Sequence, residues 1–398
     1  MSRVVNLSCR ILLCLGIFSP IQMAVAADED IVFVRKDCSS IGSNQQCFGT
    51  MPDLQNWLWN TRQPSATSRV SVHIGPGDFS VSSGSHVFEC TAGNGYVSLI
   101  GSGPSATRLL GVGLDNAIVA TDCTDLHVQD MTLESNSGYT VRWAGGGSSR
   151  WVNVDVKGHW HAWLDVVPDC AGEHPIHYWF NSRLQNNGKV GDAYKTGCGE
   201  SWFYASEATY LVNTLNASVF SISGDADVKL FGSVIRAVVP DGADPYVGRG
   251  GSFVTGVGAH GNGNFHMHGG IISLDVSPLT SNVDVSGIEN YGSGSMHTPG
   301  TTFALKAAGT GEVWRIWKKG SGPVLSPFTW PPGTTPPSLG ASGTLNGSDM
   351  FVETDCDSSG DCSGNSPNPQ HPHLMVYDAA CTGVGGAWYD MATNQCRQ

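Results

Sequence analysis

One phrase recurs five times along the middle of this chain, and it restricts the fold more than any other feature. The copies are "NAIVATDCTDLHVQDMTLES", "YTVRWAGGGSSRWVNVDVKG", "HAWLDVVPDCAGEHPIHYWFNSRLQ", "ASVFSISGDADVKLFGSVIRA" and "SFVTGVGAHGNGNFHMHGGIISLDV". Each has a short strand, a variable gap, and a second strand carrying a turn-type residue: Asp130, Asn153, Asn181, Gly232 and Gly269 in order. A further coil falls around "ESWFYASEATYLVN". A period of roughly twenty-odd residues built only from strands is the mark of a β-solenoid, and the missing 3.6-residue period argues against a helical one.

The stretch "RWAGGGSSRWVNVDV" shows how one coil is made. Val152, Val154 and Val156 alternate with Asn153 and Asp155, which predicts a strand with the valines facing inward. The small residues from Ala144 to Ser149 form the corner between that strand and the preceding one. Inward residues then pack on equivalent positions of the next coil, about 4.8 Å along the axis. The prediction is an all-β chain wound as a right-handed parallel β-helix. An antiparallel sandwich would need hairpin turns about every 8–12 residues, which the gaps do not supply. In "MPDLQNWLWNTRQ", Pro52 and Asp53 are helix-start signals and Leu54, Trp57 and Leu58 share a face, so this helix is expected to cap the open end of the stack.

Residues 1–26 read as a secretory signal peptide, with small residues at Ala24 and Ala26 before a mature start near Ala27. Residues 27–319 form the β-helix with its cap, 320–343 a Pro/Gly linker, and 344–398 a small cystine-containing segment. Secreted or periplasmic localisation is expected, and no other segment is suited to crossing a membrane. Of 12 cysteines, Cys9 and Cys14 lie in the leader; the other ten fall as neighbours at 38/47, 90/123, 170/198, 356/362 and 381/396. An even set in an exported chain implies disulfides; sequential pairing is the simplest arrangement, and spacing alone leaves connectivity open. With 34 acidic against 21 basic residues, nucleic acid is excluded as a partner.

The first-coil phrases "SVHIGPGDFSV" and "VSLIGSGPSATRLLG", the cap and the coil rhythm resemble the pectin lyase-like superfamily over about Ile31 to Lys306. Within it, "YTVRWAGGGSSRWVNVDVKGHWHAWLDV", "GESWFYASEATYLVN" and "YVGRGG" resemble, in order, elements of pectin methylesterases (pectinesterases). That resemblance implies a hydrolase acting on an acidic polysaccharide of the cell wall, with Glu200 as nucleophile, Asp165 as acid/base and Arg249 holding the nucleophile ionised. His161 stands where the family has its second aspartate; the family's glutamines are missing, and Thr140 or Arg142 would take their place.

Other chemistry stays open beside it. Arg142 and Lys195 suit a polysaccharide lyase, which needs a base for the proton α to a uronate carboxylate. Trp143, Trp160, Trp163, Tyr194 and Trp202 cluster in three coils and would make sugar platforms, with Tyr246 a further contact. Asp192 is an alternative outward carboxylate to Glu200. A non-catalytic glycan-binding or adhesin β-helix is the alternative from another class. No cofactor is expected. Calcium at the Asp355–Asp361 loop and a metal on His260, His266 and His268 are the options weighed against that.

Overall fold

The computed structural model describes residues 28–81, 86–91, 94–112, 116–136, 138–165, 174–186, 192–211, 217–239, 253–279, 282–298, 300–309 and 313–318. It also describes short backbone strands at 324–325, 352–356, 373–377, 388–390 and 395–397. The leader, most of the linker, Tyr246 and Arg249 lie outside the described residues.

The chain winds as a parallel β-helix with three walls. The first wall stacks Ser68–Ile74, Val97–Ile100, Ile176–Phe180, Glu200–Tyr204, Asp227–Phe231 and Asn264–His268. The second stacks Thr107–Gly111, Arg183–Asn186, Glu207–Leu211, Val234–Val238, Ile271–Asp275 and Thr302–Lys306. Asp125–Ser135 and Ser148–Gly158 run through both walls without a break. The third wall stacks Phe88–Cys90, Ile118–Thr121, Val141–Ala144, Trp163–Asp165, Tyr194–Thr196, Ala217–Ile222, Phe253–Ala259, Asp284–Asn290 and Val313–Lys318. Every pairing among these strands is parallel, coil on coil.

The corner between the first and second walls is a single left-handed residue. Asp130, Asn153, Asn181, Gly232 and Gly269 occupy it with φ between 48° and 66°, as their residue types predict. Asn153 Nδ2 also donates to Asp130 Oδ1 at 2.6 Å, tying one corner to the next. In the further coil the corner is Ala205, φ 47°, where a side chain with no local hydrogen bond to offer holds the strained conformation. Left-handed geometry costs an L-residue about 1–2 kcal/mol, and glycine returns part of that gain as unfolded-state entropy. Ala205→Gly is therefore expected to stabilise the protein by about 0.5–1 kcal/mol. The check is urea unfolding at unchanged m-value; a lower midpoint would refute it.

The same corner corrects the reading of Val152. Because Asn153 takes the left-handed turn, alternation restarts there: Trp151, Val154 and Val156 are fully buried while Val152 sits on the outer side, half-buried. The Gly145–Gly147 corner is as expected, joining Val141–Ala144 to Ser148–Gly158. Gly147 has φ 94°, and a Cβ there would meet the Cys123 carbonyl oxygen at 1.9 Å.

Helix α1, Met51–Trp57, starts at Thr50, whose hydroxyl accepts from the Asp53 amide, and buries Met51 and Leu54. It lies against the first strand of the third wall. Gln55 donates to the Val87 carbonyl and accepts from the Glu89 amide, satisfying a strand edge that would otherwise be open. At the other end, residues 352–356, 373–377, 388–390 and 395–397 continue the third wall as antiparallel strands. Cys38–Cys47 and Cys90–Cys123 are disulfides, both between sequential neighbours. Cys198 is also disulfide-bonded.

Two aromatic rows meet inside the tube. Trp151, Trp179 and Phe203 stack up the first wall, and Trp163 and Tyr194 up the third, with the rows in edge-to-face contact at 5.1–6.2 Å. Each such pair adds about 0.5–1.5 kcal/mol beyond area burial. His177 is buried edge-on against Trp143 and Trp163, with Nδ1 2.7 Å from Ser149 Oγ. Burial holds its pKa down at about 3, so the ring is neutral.

Candidate functional site

The outer face of the third wall gathers the chemistry. Strand alternation and in-register stacking put Arg142, Leu164, Lys195, Ser221, Gly258 and Glu289 in one outward row along the axis, of which Leu164 and Glu289 are themselves buried. Arg142 is exposed and Lys195 half-buried, two coil steps apart, about 10 Å. Among the described residues neither makes a salt bridge.

The turns that lead into these strands lie close enough to Lys195 for its charge to act on His161 and Asp192. Gly158 and His161 make one of them: a Cβ on Gly158 would meet the His161 carbonyl oxygen at 2.3 Å, so the turn closes only with glycine. It presents Trp160, 40% exposed, and His161, which stacks on Tyr139 at 5.4 Å. Asp192 follows one coil later, where its amide donates to His161 Nδ1 at 2.8 Å. Nδ1 is thereby the acceptor and the proton resides on Nε2. The 3.8 Å approach of Asp192 Oδ2 to the same nitrogen is consequently not an ion pair, because the ring is neutral. Burial, and then the Lys195 charge, push the His161 pKa down to about 4.

Asp192 Oδ1 accepts from the Ser218 amide at 3.0 Å, and the Ser221 hydroxyl also bonds the carboxylate. Burial nevertheless pushes its pKa up to about 6, against those bonds and Lys195. Farther along the axis His260 stacks on Tyr291 at 4.9 Å, and Tyr291 is 40% exposed. The His260 pKa is lowered by burial and by Lys195. Gly258 lets the Ser218 side chain pack close against the strand, since a Cβ there would come within 2.7 Å of Ser218 Oγ. From the strand after Trp160 to the strand before Tyr291 is four coil steps, about 19 Å along the axis.

These shifts give opposite pH slopes. The folded Asp192 pKa lies above the unfolded value, so its contribution favours the native state at low pH and declines as pH rises from about 4 to about 6. The folded His161 pKa lies below its unfolded value, so its contribution is present above about 6.5 and is lost as pH falls through about 4. The two oppose each other between those limits. Asp192→Asn is expected to make stability rise with pH across that window, and His161→Gln to make it fall, each by at most about 1.4 kcal/mol per pH unit. Urea unfolding from pH 4 to 6.5 reads both slopes; identical slopes in the two variants would contradict the assignment.

The residues expected from the sequence divide sharply. Arg142 and Lys195 share the outer row of the third wall, and His161, Trp160 and Asp192 lie in the turns that lead into its strands. Asp165 does not face outward: it lies in an inward row between Trp143 and Thr196, is 5% exposed, and accepts from Thr196 Oγ1 at 3.0 Å. Glu200 stands on the outer face of the first wall, where it accepts from Trp202 Nε1 at 3.0 Å and Lys229 Nζ at 3.1 Å. One carboxylate faces into the tube and the other out from a different wall, so they form no catalytic pair.

Trp143 and Trp163 are fully buried and line the core, not a sugar platform. Trp202 is on the outer face, but its ring is covered by Tyr178, Phe231 and the Lys229 ammonium, the last 4.1 Å away. Stacked rings along a β-helix present their edges, whereas a sugar packs on a ring face. Arg249 and Tyr246 lie outside the described residues.

His266 faces Asp227 at 3.6 Å, and among the described residues no group of three or more His, Cys, Asp or Glu side chains is placed to hold a metal. No helix among them is long and apolar enough to cross a membrane.

No family model matches the sequence, and no curated protein does. Among solved structures, the chain is similar to one titled "Crystal structure of pectate lyase Pel9A", at 13% identity and TM-score 0.44 over 86% of this chain and 96% of that one. It is also similar to ORF18 of Geobacillus virus E2, at 12% identity and TM-score 0.39, over 78% of this chain. The chain spans 59% of the viral protein's length. Likenesses this distant carry no activity with them.

Ser218, Ser221 and Tyr291 escaped the sequence reading. Tyr291 had a signal, being one coil beyond His260 in the repeat register.

Proposed function

We propose that this chain is an exported carbohydrate-active β-helix protein that cleaves an acidic polysaccharide along the outer face of its third wall, as a lyase. The observation that carries the reading is the outward row in which Lys195, without a salt-bridge partner among the described residues, lies beside Asp192 and in line with Arg142. Arg142 holds a uronate carboxylate. Lys195 takes the proton α to that carboxylate; the electron pair left behind forms the double bond as the bond to the glycosidic oxygen at the β carbon breaks. The departing oxygen takes a proton, for which Asp192, with a pKa near 6, is the donor at hand. Trp160 and Tyr291 supply exposed rings toward the two ends.

Esterase chemistry on Glu200 and Asp165 has less support, because the two carboxylates are on different walls. The test is incubation with polygalacturonate, alginate and a glycosaminoglycan, followed by ultraviolet absorbance of unsaturated uronate and by methanol release from methyl-esterified pectin. Unsaturated product supports the proposal. Methanol alone would restore the esterase, and silence in both with retained polysaccharide binding would make the protein a glycan-binding module.

A further inference from the structure

The geometry points to a second ligand site at the N-terminal cap, a recess for a neutral saccharide. It has a volume of about 490 Å³ and lies between helix α1 and the first strand of the third wall. Trp59, Asn56, Asn60, His86 and Glu89 line it.

Three features set it apart from an ordinary surface dent. First, α1 continues as a π-helical turn, Leu58–Arg62, closed by the Gln63 amide on the Leu58 carbonyl at 2.8 Å. Such turns are rare and recur at functional sites, and this one carries both Trp59 and Asn60. Second, Trp59 is fixed in place: its Nε1 donates to the Glu89 carbonyl at 2.9 Å and its ring packs on Phe88 at 5.9 Å, leaving the side chain half-buried at the recess. Third, Asn60 Nδ2 donates to Asn56 Oδ1 at 2.8 Å. That pairing pre-orients both exposed amides and leaves the Asn56 amino group and the Asn60 carbonyl to meet hydroxyls.

An aromatic ring beside oriented amides recognises a sugar by its apolar face and its hydroxyls. The charge pattern selects which sugar. Glu89 lines the recess and, among the described residues, no lysine or arginine does, so a uronate carboxylate is repelled there. The outer face around Arg142 and Lys195 has the opposite preference. Four coil steps, about 19 Å, separate Glu89 from Lys195 in the same outward row.

The site stands apart from the proposed lyase chemistry, because binding here needs no turnover. Isothermal titration of the full chain with neutral tetrasaccharides of glucose, galactose, mannose, xylose and arabinose, and with tetragalacturonate, tests it. At least one neutral ligand is expected to bind, with its affinity kept in Lys195→Ala and lowered tenfold or more in Trp59→Ala. Trp59 also packs on Phe88, so Asn60→Ala, at an exposed position, serves as the second variant and is expected to weaken binding severalfold. The proposal is overturned if no neutral tetrasaccharide binds, or if the folded Trp59→Ala and Asn60→Ala proteins both keep wild-type affinity.

Discussion

Lys195→Ala is expected to lower the rate of unsaturated-product formation by about 10²–10⁴-fold, the usual contribution of a positioned general base. The effect should fall on kcat rather than KM, because polysaccharide contacts elsewhere on the outer face survive the truncation. Lys195→Arg tests the base more finely: it keeps the charge beside Asp192 but binds its proton far more tightly, so binding is retained and turnover is not. Arg142→Ala, two coils away, should instead raise KM, since it removes a carboxylate partner and no proton acceptor. Equal loss of kcat in the Arg142 and Lys195 variants would show that neither acts as a discrete base. Methanol release or glycan binding that persists without unsaturated product would move the site to the other readings.

The architecture was readable because the backbone imposes its own residue types. A left-handed corner selects Asn, Asp or Gly, and all five corners expected at 130, 153, 181, 232 and 269 are there. The facing of side chains was much less readable. A solenoid corner resets the two-residue alternation, so an unbroken run such as Val152 to Val156 changes sides at Asn153. Asp165 illustrates the consequence for function. The pectinesterase resemblance made it the acid/base, yet it pairs in register with Trp143 and faces the interior. Asp192 shows the reverse. It emerged as an alternative outward carboxylate in the phrase "GDAYKTGCG", but nothing there showed that His161, Ser218 and Ser221 would converge on it from neighbouring coils. Such contacts depend on loop lengths between walls, which the repeat pattern leaves unconstrained.

The tryptophans give the second large effect. Trp163 is fully buried and touches Trp143, Trp151, Trp179, Tyr194 and His177. Trp163→Ala is expected to cost about 3–5 kcal/mol, because the stacked coils are held in register by their hydrogen-bonded walls and cannot collapse into the cavity. His177 would lose one of its two edge contacts as well. Trp160, three residues earlier and 40% exposed, should behave oppositely: Trp160→Ala is expected to change stability by about 0.5 kcal/mol or less while weakening polysaccharide binding severalfold. Urea unfolding and titration with polysaccharide on both variants separate the roles. Their neighbouring positions make the comparison stringent, since one turn of chain decides which ring supports the tube and which faces a ligand. A Trp163 variant that unfolds at the wild-type midpoint would mean that the aromatic rows do not hold the coils together. In that case the outer face above them would lose the rigid support on which the alignment of Arg142 with Lys195 depends.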